Sequence, residues 1–367
     1  MLRIFKNLDW LIFLPIIFLG GFSLSLLASP GENLFLSQLV FFVVGLFFFF
    51  LFLQIDWQLY KSLSNLLYLL SLFLLLITFL GPQVRGATRW IDLFGFRWQP
   101  SEMIKPLMAV VIANFFAENE PRDLKTIFWG LLFLVPPLFF IFRQPDLGNA
   151  IILSGVWLGI VYSAGLPFHL GLLGLFTFFF FLPFGWFILR DYQKARIVHF
   201  LNPFLDPGGA GYNSIQAMIA VGSGQFFGRG LGQGTQSHLL FLPEYHTDFI
   251  FASLVEELGF IGGFLVILAY AVLLFRILQI ARQIHDPFAS LLLVGIFSQI
   301  ALQVFINIGM NLGVIPITGI TLPLLSYGGS SVLSMMITLG IVANVSKSIR
   351  KNRALDILPS LRYNELS

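Results

Sequence analysis

About ten stretches of this chain are so apolar, and so nearly free of charge, that water cannot be their solvent. They lie near residues 10–28, 34–53, 63–80, 102–117, 127–142, 147–164, 168–189, 249–278, 288–312 and 330–345. Inside a bilayer every backbone N–H and C=O needs a partner within the protein, and a single run satisfies its own groups as a helix. The sequence therefore predicts an all-α polytopic membrane protein with about ten transmembrane helices, folded as one domain over residues 1–367. Composition agrees: 57% of residues are hydrophobic and 11% charged, where a soluble domain carries about 25% charge. The first run exceeds a cleavable signal core, so it reads as a retained span. There is no cysteine, which excludes disulfides, thiolate zinc sites and a cysteine nucleophile. A net charge of +3, with basic residues at span ends, argues against a nucleic-acid partner.

Those basic residues orient the chain. Arg3 and Lys6, Arg276 and Arg282, and Lys347, Arg350, Lys351 and Arg353 fall on one side if the spans number ten. By the positive-inside rule that side is cytoplasmic, with both termini and the tail 346–367. The opposite face then receives a large extracytoplasmic loop, 190–247, between the seventh and eighth spans, and a second loop, 82–100. The second loop carries Arg85, Arg89 and Arg97 against the rule. It is either a lone exception or an outer-face site for an anion. The fourth to sixth runs are short or interrupted by charge or by Pro136-Pro137, which places them beside a working cavity. Residues 212–227 have the pattern of a short helix, lying on the membrane surface or packed on the bundle. The glycine-dense run 228–234 reads as a turn, without the lysine of a phosphate-binding loop.

Chemistry concentrates in EYHTDFIFASLVEELG, residues 244–259. A charge at the bilayer centre costs roughly 2.5–3.5 kcal/mol, yet His246, Asp248, Glu256 and Glu257 crowd the entrance of one span. The simplest reading makes Thr247 an N-cap and Asp248 the dipole's counter-charge, which leaves both glutamates unexplained. On a helix Glu256 would stand about 80° round from Asp248 and Glu257 about 180° away, making Glu257 an anchor to another helix and Asp248 the residue exposed at the outer mouth. Glu244, His246 and Asp248 could hold a divalent cation, Mg or Mn, although no paired-histidine motif exists. In QPSEMIK, Ser101 is the expected N-cap, and Glu102 and Lys105 share a helix face. Lys105 then pairs with Glu102, or reaches Asp248 or Glu256. Asp146 in RQPDLGNA reads as a helix cap. PITGITLPLLSYGGSS, residues 316–331, predicts a non-helical loop at membrane depth whose amides, with Ser326 and Ser330, suit phosphate or sugar hydroxyls.

Taken together, GATRWIDLFGFRWQPSEMIK, RQPDLGNA, LNPFLDPGGAGYNSIQAMIAVGSG, GRGLGQGTQSHLLFLPEYHTDFIFASLVEELG and GVIPITGITLPLLSYGGSS resemble the SEDS family of cell-wall proteins. GTQS before FLPE, and Gln144 in QPDLG, look like its elongation branch rather than its division branch. The resemblance implies a SEDS fold and a peptidoglycan glycosyltransferase polymerising lipid II on the outer face of the bacterial cytoplasmic (inner) membrane. It implies as partners a class B penicillin-binding protein and other elongation-complex membrane proteins. By the same resemblance Asp248 matches the family's essential acid, Lys105 its important lysine, Trp90 its loop tryptophan and Glu102 the glutamate of PSE. Sugar polymerisation needs one base and cations for a diphosphate leaving group; Asp248 is the candidate base, and Arg89, Arg97 and Lys105 candidates for the diphosphate. Buried charges would also suit a flippase for lipid-linked precursors, but no inverted repeat supports one.

Overall fold

The computed structural model describes residues 8–28, 32–81, 88–93, 96–189, 191–209 and 211–364. Arg3, Lys6, Arg85 and Arg190 fall outside them. In chain order the helices are α1 (Trp10–Ala28), α2 (Glu32–Phe52), α3 (Trp57–Ser62), α4 (Ser64–Ile77), α5 (Pro100–Glu118), α6 (Leu124–Arg143), α7 (Leu147–Ser163) and α8 (Phe168–Ile188). They continue with α9 (Asp191–Leu201), α10 (Tyr212–Ser223), α11 (Thr235–His238), α12 (Ile250–Gln283), α13 (Pro287–Asn311) and α14 (Gly329–Asn364). Each of the ten apolar runs is a helix. Seven of those helices are long and apolar enough to cross a membrane, while α4 and α7 are apolar but shorter. The chain is a multi-pass, all-α membrane protein.

The core lies where α5, α7, α12, α13 and α14 meet, with Ile104, Met108, Val156, Leu292, Ile296 and Met336 excluded from solvent. At the opposite extreme, no residue in the apolar window of α8 is buried, so its phenylalanines face outward all round. An all-apolar helix in lipid needs no packed face, because acyl chains solvate it as well as a neighbour does.

Three local features depart from the sequence reading, and a fourth, the packing of α10, decides between the two alternatives it left open. The loop 82–100 contains a two-stranded antiparallel hairpin, β1 (Ile91–Leu93) and β2 (Phe96–Trp98), pairing Asp92 with Arg97. Pro136 and Pro137 do not break α6, which runs 20 residues with little of its surface buried, so the fifth span stands away from the cavity. The amphipathic α10 packs against α12 and α13 rather than lying free on the surface, burying Ala217 and Ala220 while Ile219 stays exposed. Finally, α12 is broken at Gly259, whose φ of 69° is open to glycine at little cost. Backbone freed by the break is satisfied by the glycine-rich turn: Arg229 N donates to Glu256 O at 3.0 Å and Gly230 N to Glu257 O at 2.9 Å. Phe260 N in turn donates to Gln225 O at 2.9 Å. Irregular backbone at membrane depth is stable only with such partners.

Candidate active site

A cavity of about 380 Å³ opens where α5, α12 and α14 begin. Segments far apart in sequence build it. The hairpin region supplies Arg89, Trp90 and Arg97, the entrance of α5 supplies Gln99 and Glu102, and α9 supplies Arg196. The turn before α12 contributes Glu244, Thr247 and Asp248; the loop before α14 contributes Thr318, Gly319, Thr321 and Tyr327; Ser330 and Ser331 open α14 itself. Residues 316–328 are thus non-helical and line a cavity, as their proline and glycine content predicts, while 329–331 already belong to α14.

Asp248 is held from below. The expected cap at Thr247 is absent, because α12 starts at Ile250 with Phe249 in the cap position and no side-chain cap. Asp248 therefore sits in an irregular turn, and the helical angle relating it to Glu256 does not apply. Two buried asparagines one turn apart on α13 replace the cap: Asn307 and Asn311 each donate to the Asp248 carbonyl at 3.0 Å. Asn311 also accepts from Ala252 N at 3.0 Å, and Asn307 donates to Ile320 O at 2.7 Å. One polar pair thereby fixes the turn, the first residues of α12 and the neighbouring loop. Beside the carboxylate lies Gly319, at φ 75°, where a Cβ would stand 3.5 Å from Asp248 Oδ2.

The two loops that flank the acid are stitched together. Tyr327 N donates to His246 O at 2.8 Å, and Ser326 Oγ donates to Thr247 O at 2.7 Å while accepting from Leu322 N at 2.8 Å. Gln38 on α2 reaches the same loop, donating to Ser326 O at 3.2 Å. Neither Ser326, a candidate for phosphate or sugar hydroxyls, nor His246, a candidate for the metal and the substrate, lines the cavity; both brace the loops behind its wall. Burial of His246 pulls its pKa below the ordinary value, and the nearby Glu244 charge offsets only part of that. Ser330 is on the wall, accepting from Gln99 N at 2.9 Å and donating to Arg97 O at 3.3 Å, which ties the hairpin to α14.

Lys105 pairs with Glu102 at 2.7 Å, both buried, so its partner is neither Asp248 nor Glu256. Glu102 lines the cavity and Lys105 stands behind it. Glu256, expected beside the acid, is fully buried on the loop side. It accepts from Gln236 N at 2.8 Å, Ser237 N at 3.2 Å and Ser237 Oγ at 3.1 Å. Glu257 accepts from Gly232 N at 3.0 Å and contacts His238 Nε2 at 3.0 Å. Both glutamates therefore anchor the long loop to α12, where an anchor to another helix was expected of Glu257 alone. The α5 entrance also differs in detail. Gln99 occupies the cap position and Pro100 the first turn, while Ser101 donates to Asp146 Oδ2 at 3.2 Å. Asp146 caps α7 through Asn149 N at 3.2 Å, as expected, and joins the starts of α5 and α7.

Arg196 was not anticipated. It donates to Ile317 O at 3.1 Å from the large loop, and its one legible signal is a basic residue in a loop expected on the face where the positive-inside rule disfavours them. The expected Glu244, His246 and Asp248 metal group is not formed: among the described residues no three His, Asp or Glu side chains are arranged to hold an ion. Glu244 and Asp248 do share the wall, and that donor set suits Mg, which takes one or two carboxylates and completes its shell from phosphate and water. The wall as a whole carries the guanidiniums of Arg89, Arg97 and Arg196 against the carboxylates of Glu102, Glu244 and Asp248. Such a site can cradle a polyanion and present a carboxylate to it.

The sequence profile of the family described as cell cycle protein, FtsW, RodA and SpoVE, matches residues 3–351. The chain belongs to this family. Among FtsW/RodA/SpoVE relatives, stage V sporulation protein E of Bacillus subtilis (strain 168) is 41% identical over 323 residues, covering 85% of this chain and 87% of its own. Peptidoglycan glycosyltransferase MrdB of Escherichia coli (strain K12) is 39% identical over 295 residues, covering 80% of each. Among solved structures, a chain from a peptidoglycan synthase complex that coordinates polymerization and crosslinking superposes with a TM-score of 0.82 at 29% identity, covering 93% of this chain and 98% of that one. The rod shape determining protein RodA of Thermus thermophilus gives a TM-score of 0.69 at 28% identity, over 93% and 97% of the two chains. The fold of this family member is that of RodA.

Proposed function

We propose that this chain is a peptidoglycan glycosyltransferase that polymerises lipid II into glycan strands, with Asp248 as its general base. The observation that carries the reading is the meeting of Asp248 with Arg89, Arg97 and Arg196 around one cavity of about 380 Å³. In the reaction an acceptor 4-hydroxyl attacks the anomeric carbon of the donor sugar. A new C–O glycosidic bond forms, the bond to the lipid diphosphate breaks, the hydroxyl proton passes to Asp248, and the diphosphate leaves as an anion. A diphosphate leaves without an acid, so one positioned base, contributing about 10²–10⁴-fold, and fixed cations suffice. Arg89 braces the turn between α6 and α7 by donating to Gln144 O at 2.9 Å and to Pro145 O, which holds its guanidinium at the wall. Glu102 pairs with Lys105 behind the wall at 2.7 Å. Trp90 offers an aromatic face at the rim, suited to the apolar face of a sugar ring.

On this reading the single SEDS domain lies in the bacterial cytoplasmic membrane, with both termini in the cytoplasm and the cavity outside. MrdB carries the peptidoglycan glycosyltransferase name, and the fold matches a chain of a synthase that couples polymerization to crosslinking. Both support a class B penicillin-binding protein as partner, among other membrane proteins of the elongation complex. GTQS, FLPE and Gln144 favour elongation over division. The deciding experiment is polymer formation from lipid II by purified protein in detergent, alone and with its partner blocked by a β-lactam. Polymer there needs no transmembrane gradient. No polymer with any partner or divalent ion, together with transfer of labelled lipid II between leaflets in vesicles, would replace this reading by the flippase.

A further inference from the structure

The end of α12 far from Asp248 carries a second cavity, of about 170 Å³, between α12 and α14. Arg276, Gln279, Gln283, Ser346 and Arg350 line it together with Ile280 and Ile349, and the proposed reaction uses none of them. Behind the arginines lies Asp9, 4% exposed, just before α1. Its Oδ2 accepts from Arg276 Nε at 2.9 Å and NH2 at 2.7 Å, and from Ser346 Oγ at 2.5 Å. Arg350 NH2 lies 3.1 Å from the same oxygen, and Arg350 NH1 donates to Leu8 O at 3.2 Å. Burial would raise the Asp9 pKa, but the hydrogen bonds from Arg276 and Ser346 and the charges of Arg276 and Arg350 outweigh it and hold the carboxylate ionised.

Two guanidiniums thus share one carboxylate, leaving an excess positive charge at the junction of three helices. Each guanidinium has five N–H donors, and Asp9, Leu8 and Gln279 occupy about half of the combined set among the described contacts. The remaining wall is amide, hydroxyl and isoleucine: a polar floor beside an apolar side. A cavity of this size has room for a phosphate group. Neighbouring Trp10, half-exposed at the start of α1, marks the depth of an interface between headgroups and acyl chains.

We propose that this cavity binds a phosphate or phosphodiester anion at the membrane surface opposite the active site, with Arg276 and Arg350 as its ligands and Asp9 holding them in place. The proposal stands whatever reaction Asp248 performs. The apolar side favours the phosphodiester of an anionic lipid headgroup over free phosphate, and basic pockets between helix ends are where such headgroups dock.

Native mass spectrometry of the full chain in detergent, titrated with phosphatidylglycerol or phosphatidylcholine of equal chain length, tests it. The anionic lipid should be retained preferentially. Arg350→Gln leaves Arg276 on Asp9 and so preserves the fold; losing its charge should lower that retention roughly fivefold. Lys347→Gln removes the same charge from an exposed neighbour outside the cavity and should change little. Binding of inorganic phosphate that depends equally on Arg350 would support the site while assigning it to the free anion. Equal retention of the two lipids without any Arg350-dependent phosphate binding overturns the proposal. So does an equal loss in Lys347→Gln, since the lipid would then be reading bulk surface charge.

Discussion

Asn311 grips Asp248 by its backbone and not by its carboxylate, donating to the carbonyl oxygen at 3.0 Å while its own oxygen takes Ala252 N at 3.0 Å. Position and chemistry of the acid are therefore separable by mutation. Asp248→Asn leaves both asparagine contacts intact, so thermal unfolding in detergent should shift by no more than a few degrees. Polymer yield should fall at least ~100-fold, the lower range for a lost base. Asn311→Leu should do the reverse in stability, stranding Ala252 N and weakening the hold on Asp248 at a cost of about 1–3 kcal/mol. Near-normal polymer from folded Asp248→Asn protein would remove the base assignment.

Lys105 acts through Glu102, from which it stands 2.7 Å away with both groups buried. Removing one member of a buried pair costs about 3–5 kcal/mol, whereas removing both is close to neutral. Lys105→Met should therefore lower the unfolding temperature markedly, and Glu102→Gln combined with Lys105→Met should restore most of it. Activity of the double variant should stay low if the Glu102 charge on the cavity wall serves the reaction. A double variant that is stable and fully active would make the pair a structural device only.

His246 gives the site a pH signature. Its folded pKa lies below the unfolded value of about 6.5, because burial disfavours the imidazolium. Below that pH the unfolded chain binds a proton that the folded chain resists, so this contribution to stability is present above about pH 6.5 and is lost as pH falls through the folded pKa. Unfolding temperatures at pH 7.5 and pH 5 should differ more for the natural protein than for His246→Gln. Equal pH dependence in the two proteins would show that His246 is not the titrating group.

Arg196 reaches the cavity from the large loop and donates to Ile317 O at 3.1 Å. If it receives the donor's diphosphate, Arg196→Gln should raise KM for lipid II roughly tenfold, the worth of one charge-assisted hydrogen bond, with a smaller effect on kcat. An unchanged KM would leave Arg196 a brace for the 316–328 loop.

The ten apolar helices and the non-helical stretch 316–328 were legible because bilayer solvation leaves the backbone so few options. Asp248, Arg89, Arg97 and Glu102, which meet on the cavity wall, drew notice because charges in or beside apolar segments need a purpose, whereas Trp90 was legible only through the resemblance to the SEDS family. What sequence could not supply is which buried charge faces which. Glu256 and Asp248 look like one cluster along the chain, yet Asp248 sits in an irregular turn before α12 while Glu256, inside the helix, faces the long loop and serves α11. The asparagine clamp was invisible for a related reason. Asn307 and Asn311 sit in an apolar run and gain meaning only when α13 is placed under the turn.

Orientation is the prediction on which the outer-face reading depends. The absence of cysteine gives a clean background for introduced thiols. Ser237 and Ser346, expected on opposite sides of the membrane, would serve by sequence alone, but they are 1% and 2% exposed and bonded to Glu256 and Asp9. Gly208 in the large loop is exposed with open space where a Cβ would go, and Lys347 is exposed at the other end of the bundle. A membrane-impermeant maleimide applied to intact cells should label Gly208→Cys and spare Lys347→Cys, and permeabilised cells should label both. The opposite pattern would put the Asp248 cavity on the cytoplasmic face. Lipid II polymerised there would yield strands on the wrong side of the membrane for a cell wall, and the reading of the site as its polymerase would fall with it.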